Sequence, residues 1–415
     1  DLHLCDRRQR QMCIRDSTNF AFAMELLKKF SCFLFVLLVV LGSFSCRKSN
    51  DEPDAPSVRK TLFMYMPWSG NLTSYFYDNI SDMENAVARV GLKNERIIVF
   101  ISTSASEAVM FELKYEGGKS VRETLKKYTS PAFTTENGLT SILNDMKSFA
   151  PAAEYAMVIG CHGMGWLPVY GTGSRSDIPF KPHWEYTDGP LTRYFGGLTP
   201  VYQTDITTLS GSISRAGLKM EFILFDDCYM SSIEVAYELR HVTDYLIACP
   251  TEVMAFGMPY STLGQYLLGE PDYRSVCDEF YRFYSSYQYP YGTLGVTDCS
   301  ELDAMAALMK EINSICTFDN SGNGSVQRMD GYDPVIFYDF GDYVRQLCVG
   351  HPDLLQAFDR QLAKVTPYMV HTEKFYSARS GPLPIHVFSG ITTSAPSTNP
   401  QVADWVNTSW YQATH

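Results

Sequence analysis

The sequence predicts an α/β layer fold with a mostly parallel central sheet, and three observations carry that reading. Five short apolar runs, at 61–66, 96–101, 155–159, 221–225 and 244–248, have the length of strands buried on both faces. Stretches with apolar residues at helical spacing alternate with them, as in layered α/β proteins. Residues of unusual chemistry fall just past two of the runs, where open parallel sheets gather their functional groups.

The first strand is closed by Pro67, Gly70 and Asn71, and Ile80, Met83, Val87 and Val90 then mark a helix over about 75–90. Residues 109–115 alternate and meet Gly117-Gly118, which predicts a hairpin. A helix over 137–149 precedes the third strand. Residues 164–202 are rich in Gly and Pro without period, and loops of that length are usually functional. Asp205 is a candidate N-cap for a short helix. Ser231-x-x-Glu234 has the form of a capping box for a helix over 231–240. Helices over 273–284 and 301–315 flank a strand at 292–296. After Ser321-Gly322-Asn323-Gly324, helical patterns run from about Val335 and over 352–365. Strand-like pieces follow at 370–376 and 385–388. This tail, 321–415, either extends the sheet of 59–320 or forms a small subdomain.

The chain has 415 residues, 45% hydrophobic and 19% charged, which suffices for a large core. The net charge of −12, with no basic stripe, excludes the usual nucleic-acid-binding profile. Residues 1–23 match nothing downstream and read as a non-native leader. Met24, Lys28, Lys29 and an apolar run to Leu41 form the parts of a secretory signal over 24–45. Cys46 follows small residues and resembles a bacterial lipoprotein cysteine, although Ser43 departs from that pattern. Lipidation there would anchor the chain to the bacterial envelope; otherwise it is secreted. Residues 46–58 read as a flexible tether. The eleven cysteines include no C-x-x-C pair and no zinc spacing with histidine. No cofactor is expected. Calcium would suit the many acidic residues, but no compact calcium-loop spacing supports it.

The chemistry lies at two strand ends. The third strand ends Gly160-Cys161-His162-Gly163-Met164-Gly165-Trp166, and the fourth Asp226-Asp227-Cys228-Tyr229-Met230. A thiol nucleophile needs a base beside it, because the thiolate attacks. If the two strands are neighbours, His162 meets Cys228 at one rim. A helix just after Cys228 would lower its pKa through the dipole. Gly163 lets backbone approach a scissile carbonyl, so the amides of Gly163 and Cys228 are candidate oxyanion donors. Taken singly, a histidine in the setting of His162 is more often a turn residue and a cysteine in that of Cys228 a core residue; together, at two strand ends, they become a candidate pair. Cys161 is a rival nucleophile, but it is read as core because neighbouring side chains on a strand end point to opposite sides.

His162-Gly163-x-Gly165-Trp166 resembles the histidine motif of clostripain-type cysteine peptidases. Asp226-x-Cys228-x-Met230 with Ile233-Glu234-Val235-Ala236-Tyr237-Glu238-Leu239 resembles their cysteine motif. Tyr65-Met66 followed by Asn71-Leu72 fits as well, as does Pro250-Thr251-Glu252 leading to Gly257-x-Pro259-Tyr260. The resemblance implies a caspase-like α/β/α sandwich and a His–Cys dyad without an obligatory third member. It implies protein or peptide substrates cut after Arg or Lys, and places Asp226 in the pocket for that side chain, where a carboxylate would pair with a guanidinium. Helix capping is the alternative for Asp226. Asp227 is either a second pocket acid or a solvent-facing residue, and Glu252 is a candidate for the pocket wall. Family members are often cut at a basic residue, and Arg175 in the long loop is the candidate site here. The leading function is therefore a cysteine endopeptidase. An inactive surface binding lipoprotein, or an acyl transferase using the same thioester, are the alternatives.

Overall fold

Nine strands form one sheet, seen in a computed structural model that describes residues 58–169, 202–319 and 324–415. All of them belong to one unit, Pro56–His415. The centre is parallel. β1 (Lys60–Met66) pairs with β2 (Glu95–Ser104) on one side and β5 (Glu154–Gly160) on the other. β6 (Met220–Asp226) and β7 (Thr243–Ala248) continue in the same direction. The edges run antiparallel. β3 (Glu107–Glu116) and β4 (Lys119–Thr129) form the hairpin that turns at Gly117-Gly118. β8 (Thr293–Asp298) and β10 (Tyr368–His371) close the other edge.

Successive strand residues point to opposite faces, so each apolar run feeds two cores. Phe63 and Tyr65 of β1 belong to one, Leu62, Met64 and Met66 to the other. The first core is covered by α2 (Glu136–Phe149), α3 (Ile206–Arg215) and α4 (Ile233–Leu239), with α6 (Leu302–Ile315), α7 (Phe340–Leu347), α8 (Pro352–Val365) and α9 (Ser409–Thr414). The second lies under α1 (Thr73–Val90) and α5 (Tyr273–Ser286). In α1, Phe76, Ile80, Met83 and Val87 are fully or almost fully buried, and each contributes about 1.5–3 kcal/mol relative to exposure. This is the caspase-like α/β/α sandwich.

Several local expectations are corrected. Asp205 stands at the N-cap of α3 as expected, and only the capping bond is replaced, its carboxylate accepting from the amide of Val169 at 2.7 Å. The capping box over Ser231 and Glu234 does not form. α4 starts one residue later, with Ser232 accepting from Val235 N–H, because both predicted partners are drawn elsewhere. The Ser231 hydroxyl donates to Gly390, and Glu234 accepts from Thr393, Ser394 and Trp405. The helical pattern from Val335 yields a helix only from Phe340, since Asp330 collects the amides of Tyr332, Ile336 and Phe337 in a loop. The piece at 370–376 splits between β10 and β11 (Lys374–Ser377). Residues 385–388 form no strand. β11 pairs instead with β12 (Gly381–Pro384) in a second small sheet, and β13 (Thr392–Thr393) pairs with β9 (Tyr338–Asp339) in a third. No helix among the described residues is long and apolar enough to cross a membrane.

Candidate active site

β5 and β6 are direct neighbours, and their register pairs Gly160 with Asp226. His162 and Cys228 therefore each stand two residues past a shared rung, and both are fully buried. The loops that follow are in backbone contact. A β-carbon built on Gly163 would lie 2.2 Å from the Cys228 carbonyl oxygen and 3.0 Å from its amide nitrogen. Only glycine tolerates that approach. Both amides thus sit at the same rim.

The imidazole is held from the far side. Its Nε2 lies 2.8 Å from Oδ1 of Asn71, in the single 3₁₀ turn Gly70–Leu72 that follows β1. With the amide oxygen accepting from Nε2–H, the ring keeps Nδ1 as its basic nitrogen. The Cys228 sulfur accepts from Val253 N–H at 3.3 Å. α4 begins only at Ile233, with Tyr229 to Ser232 intervening, so the expected helix-dipole contribution falls away; it acts within the first turn. The amide of Val253, on the loop after β7, is the donor that the sulfur meets instead.

Tyr229 takes φ 61°, which a bulky side chain adopts only when its surroundings impose it. Three contacts do so. Its amide donates to Thr251 at 3.1 Å, its ring stacks on Phe337 at 5.1 Å, and its hydroxyl donates to Glu252 at 2.7 Å. Burial holds the phenol well above its usual pKa, so it remains a donor. The turn at Tyr229 fixes the direction in which Cys228 leaves the strand. Gly165 (φ 60°) completes the floor, because a β-carbon there would lie 2.9 Å from the Phe337 ring.

The three predicted pocket acids have separate surroundings. Asp226 is buried and accepts from Met258 N–H and from the Tyr260 hydroxyl, both at 3.0 Å; it caps no helix. Asp227 is also fully buried, which overturns its solvent-facing reading. Its oxygens accept from the Cys161 amide at 2.6 Å and face the Cys161 thiol at 3.5 Å. Cys161 itself is packed in the first core, on the opposite side from Cys228. Glu252 is nearly fully buried and accepts from Tyr229 and from the amide of Ala378, so it ties the hairpin β11–β12 to the turn after Cys228. Arg175, Cys46 and the leader, signal and tether lie outside the described residues. Among the described residues, no group of three or more His, Cys, Asp or Glu is placed to hold a metal ion.

Sequence reasoning gave no part in the site to Tyr229, Val253 or Phe337, and marked Asn71 only as closing the first strand and as part of the family resemblance. The pairing of β1 with β5 is what brings Asn71 beside His162. Phe337 carried no signal, being far away in the chain.

An α/β/α sandwich with a histidine and a cysteine at adjacent strand ends defines the class of cysteine peptidases with a caspase-like fold. A family model for the clostripain family matches residues 202–374. A secreted C11 cysteine protease from Bacteroides thetaiotaomicron, iotapain, is 58% identical in its X-ray structure, with a TM-score of 0.80 over 87% of this chain and 100% of that one. A clostripain from Bacteroides thetaiotaomicron, crystallised with the peptide inhibitor BTN-VLTK-AOMK, is 59% identical, with a TM-score of 0.53 over 54% of this chain and 99% of that one. An inactive zymogen C11 protease from Parabacteroides distasonis is 27% identical, with a TM-score of 0.72 over 86% and 99%. No curated protein matches this chain. The chain belongs to the clostripain family and is a cysteine-type endopeptidase.

Proposed function

We propose that this endopeptidase cleaves after Arg or Lys, with Cys228 as nucleophile and His162 as general base and acid. The observation that carries the reading is the contact of the Gly163 backbone with that of Cys228, which sets both residues at one rim. In this mechanism Nδ1 of His162 takes the thiol proton, and the thiolate attacks the scissile carbonyl carbon. The oxyanion accepts from the amides of Gly163 and Cys228. As the tetrahedral adduct collapses, the imidazolium gives its proton to the departing amine and a thioester remains. Water then attacks the thioester, His162 takes its proton, and the thiol is restored as the carboxylic acid leaves.

Asp226 is the acid we assign to the basic side chain of the substrate. It is buried within two residues of Cys228, and a carboxylate there gives a guanidinium or ammonium its counter-charge. The related clostripain bound to an inhibitor whose peptide part reads VLTK, ending in lysine, supports the same preference. Asp227 and Glu252 serve, in this reading, as supports for Cys161 and Tyr229. Export through the 24–45 signal, lipidation at Cys46 and activation by a cut at Arg175 complete the proposal. The secreted relative and the zymogen relative support export and activation respectively. Intact-mass measurement of protein recovered from membranes checks both modifications: a fully active single chain removes the cut, and an unmodified Cys46 removes the anchor.

Peptides with Arg, Lys, Ala or Asp before the cleaved bond, given to wild type and Cys228→Ala, test the core of the proposal. Cleavage after Arg or Lys by wild type only is expected. Undiminished cleavage by Cys228→Ala, or a preference for Ala or Asp, overturns it.

A further inference from the structure

Sheet order places three strand ends in a row: β6 with Cys228, β5 with His162, and β1 with Asn71. The imidazole thus has the nucleophile's loop on one side and the 3₁₀ turn after β1 on the other. We infer that Asn71 is the positioning residue of this active site, acting through its hydrogen bond to Nε2 of His162. The inference rests on the Cys228–His162 reading above and adds a third member to it.

The turn that carries Asn71 is fixed independently of the contact. Leu72 is fully buried beneath it, the buried Ser69 hydroxyl donates to Pro67 at 3.0 Å, and the Thr73 hydroxyl donates to Gly70 at 3.2 Å. The backbone is therefore anchored, while the Asn71 side chain stands exposed at the surface with its oxygen 2.8 Å from Nε2. An exposed amide has water for a partner, and burial imposes no demand for this bond. What the bond does is choose the tautomer and hold the ring plane. Nε2–H donates to Asn71 in both the neutral and the protonated ring. The ring thus keeps one orientation while Nδ1 first receives the thiol proton and then releases it to the amine. Being neutral, Asn71 steadies the imidazolium as a dipole and leaves it free to give the proton up. A carboxylate in its place would bind the charged ring more tightly.

The test uses Asn71→Ala and Asn71→Asp in the otherwise unaltered chain, with three readouts. These are kcat and KM on an Arg peptide, the pH profile of Cys228 alkylation by iodoacetamide, and thermal unfolding. Asn71→Ala is expected to lower kcat by about tenfold or more, within the roughly 10²–10⁴-fold that general acid–base catalysis supplies. KM and unfolding should stay near wild type, and rapid alkylation should require a higher pH. Asn71→Asp, which still accepts from Nε2–H, should restore most of kcat with an altered alkylation profile. Unchanged kcat and alkylation in Asn71→Ala overturn the inference. So does a loss that follows unfolding alone, or a failure of Asp to rescue. Activity persisting in Cys228→Ala is a different result, since it removes the underlying mechanism instead.

Discussion

A β-carbon on Gly163 would meet the Cys228 carbonyl oxygen at 2.2 Å and the Asp227 β-carbon at 2.9 Å. The obstacles are backbone and a buried side chain, neither of which can swing aside. Gly163→Ala must therefore part the two strand-end loops. We expect kcat/KM to fall about 100-fold or more, the scale of losing an oxyanion donor, with a lower unfolding temperature. Gly324→Ala is the matched control, because a β-carbon there meets nothing within 4 Å. Steady-state kinetics and thermal unfolding of both variants check this.

Asp226→Asn keeps an acceptor for Met258 N–H or Tyr260 but removes the pocket charge. Truncating a buried charge pair costs about 2–5 kcal/mol, so kcat/KM on Arg and Lys peptides should fall by about 30-fold or more. Uncharged peptides should change far less. The ratio of the two rates is the readout. An unchanged ratio moves the basic-residue pocket away from Asp226.

Much of this was legible in the sequence because its local signals agreed with the tertiary ones. Runs of strand length, buried on both faces, can sit only in a covered parallel sheet, and the strands of the central sheet stand where those runs are. Gly163 was legible for the same reason, since a histidine flanked by glycines after a strand implies close backbone approach. The failures share one cause. Ser231 and Glu234 look like a local capping box, yet Gly390 and the segment 393–405 compete for them from far along the chain. Asp330 likewise gathers three amides and stops a helix that the period alone would begin at Val335. Phe337 reaches Tyr229 by the same kind of long-range packing. Spacing within a segment carries no record of such partners.

Glu234 links the helix after the nucleophile to the C-terminal segment. Its Oε1 accepts from the Thr393 hydroxyl, the Ser394 amide and the Trp405 indole, at 2.9, 3.0 and 2.9 Å. Burial raises its pKa, and those donors pull in the other direction. Glu234→Ala strands three buried or half-buried donors at once. At roughly 1–3 kcal/mol for each group left unsatisfied, several kcal/mol of stability should go. Denaturant unfolding checks this, and Glu234→Gln, which retains an acceptor oxygen, should lose less. Equal losses in the two variants would show that the hydrogen bonds to Oε1 contribute little.

Two other buried carboxyls give the fold a pH dependence of definite sign. Burial pushes Asp330 up to about 7 and Asp339 up to about 6, against the pull of the N–H groups that each accepts. An unfolded aspartate has a pKa of about 3.9. Between about pH 4 and pH 7 the native state therefore holds protons that the unfolded chain has shed. Stability falls with rising pH wherever the native state binds more protons. The contribution of these groups is complete below about pH 4 and is lost as pH passes about 6 for Asp339 and about 7 for Asp330. Asp330→Asn removes one term of that slope. The variant is less stable throughout, because its NH₂ must face amides that Asp330 now accepts from. The informative quantity is the wild-type advantage in unfolding temperature, which should shrink from pH 4 to pH 7.5. An advantage that grows with pH would mean that the three amides hold Asp330 ionised and that burial is the weaker influence.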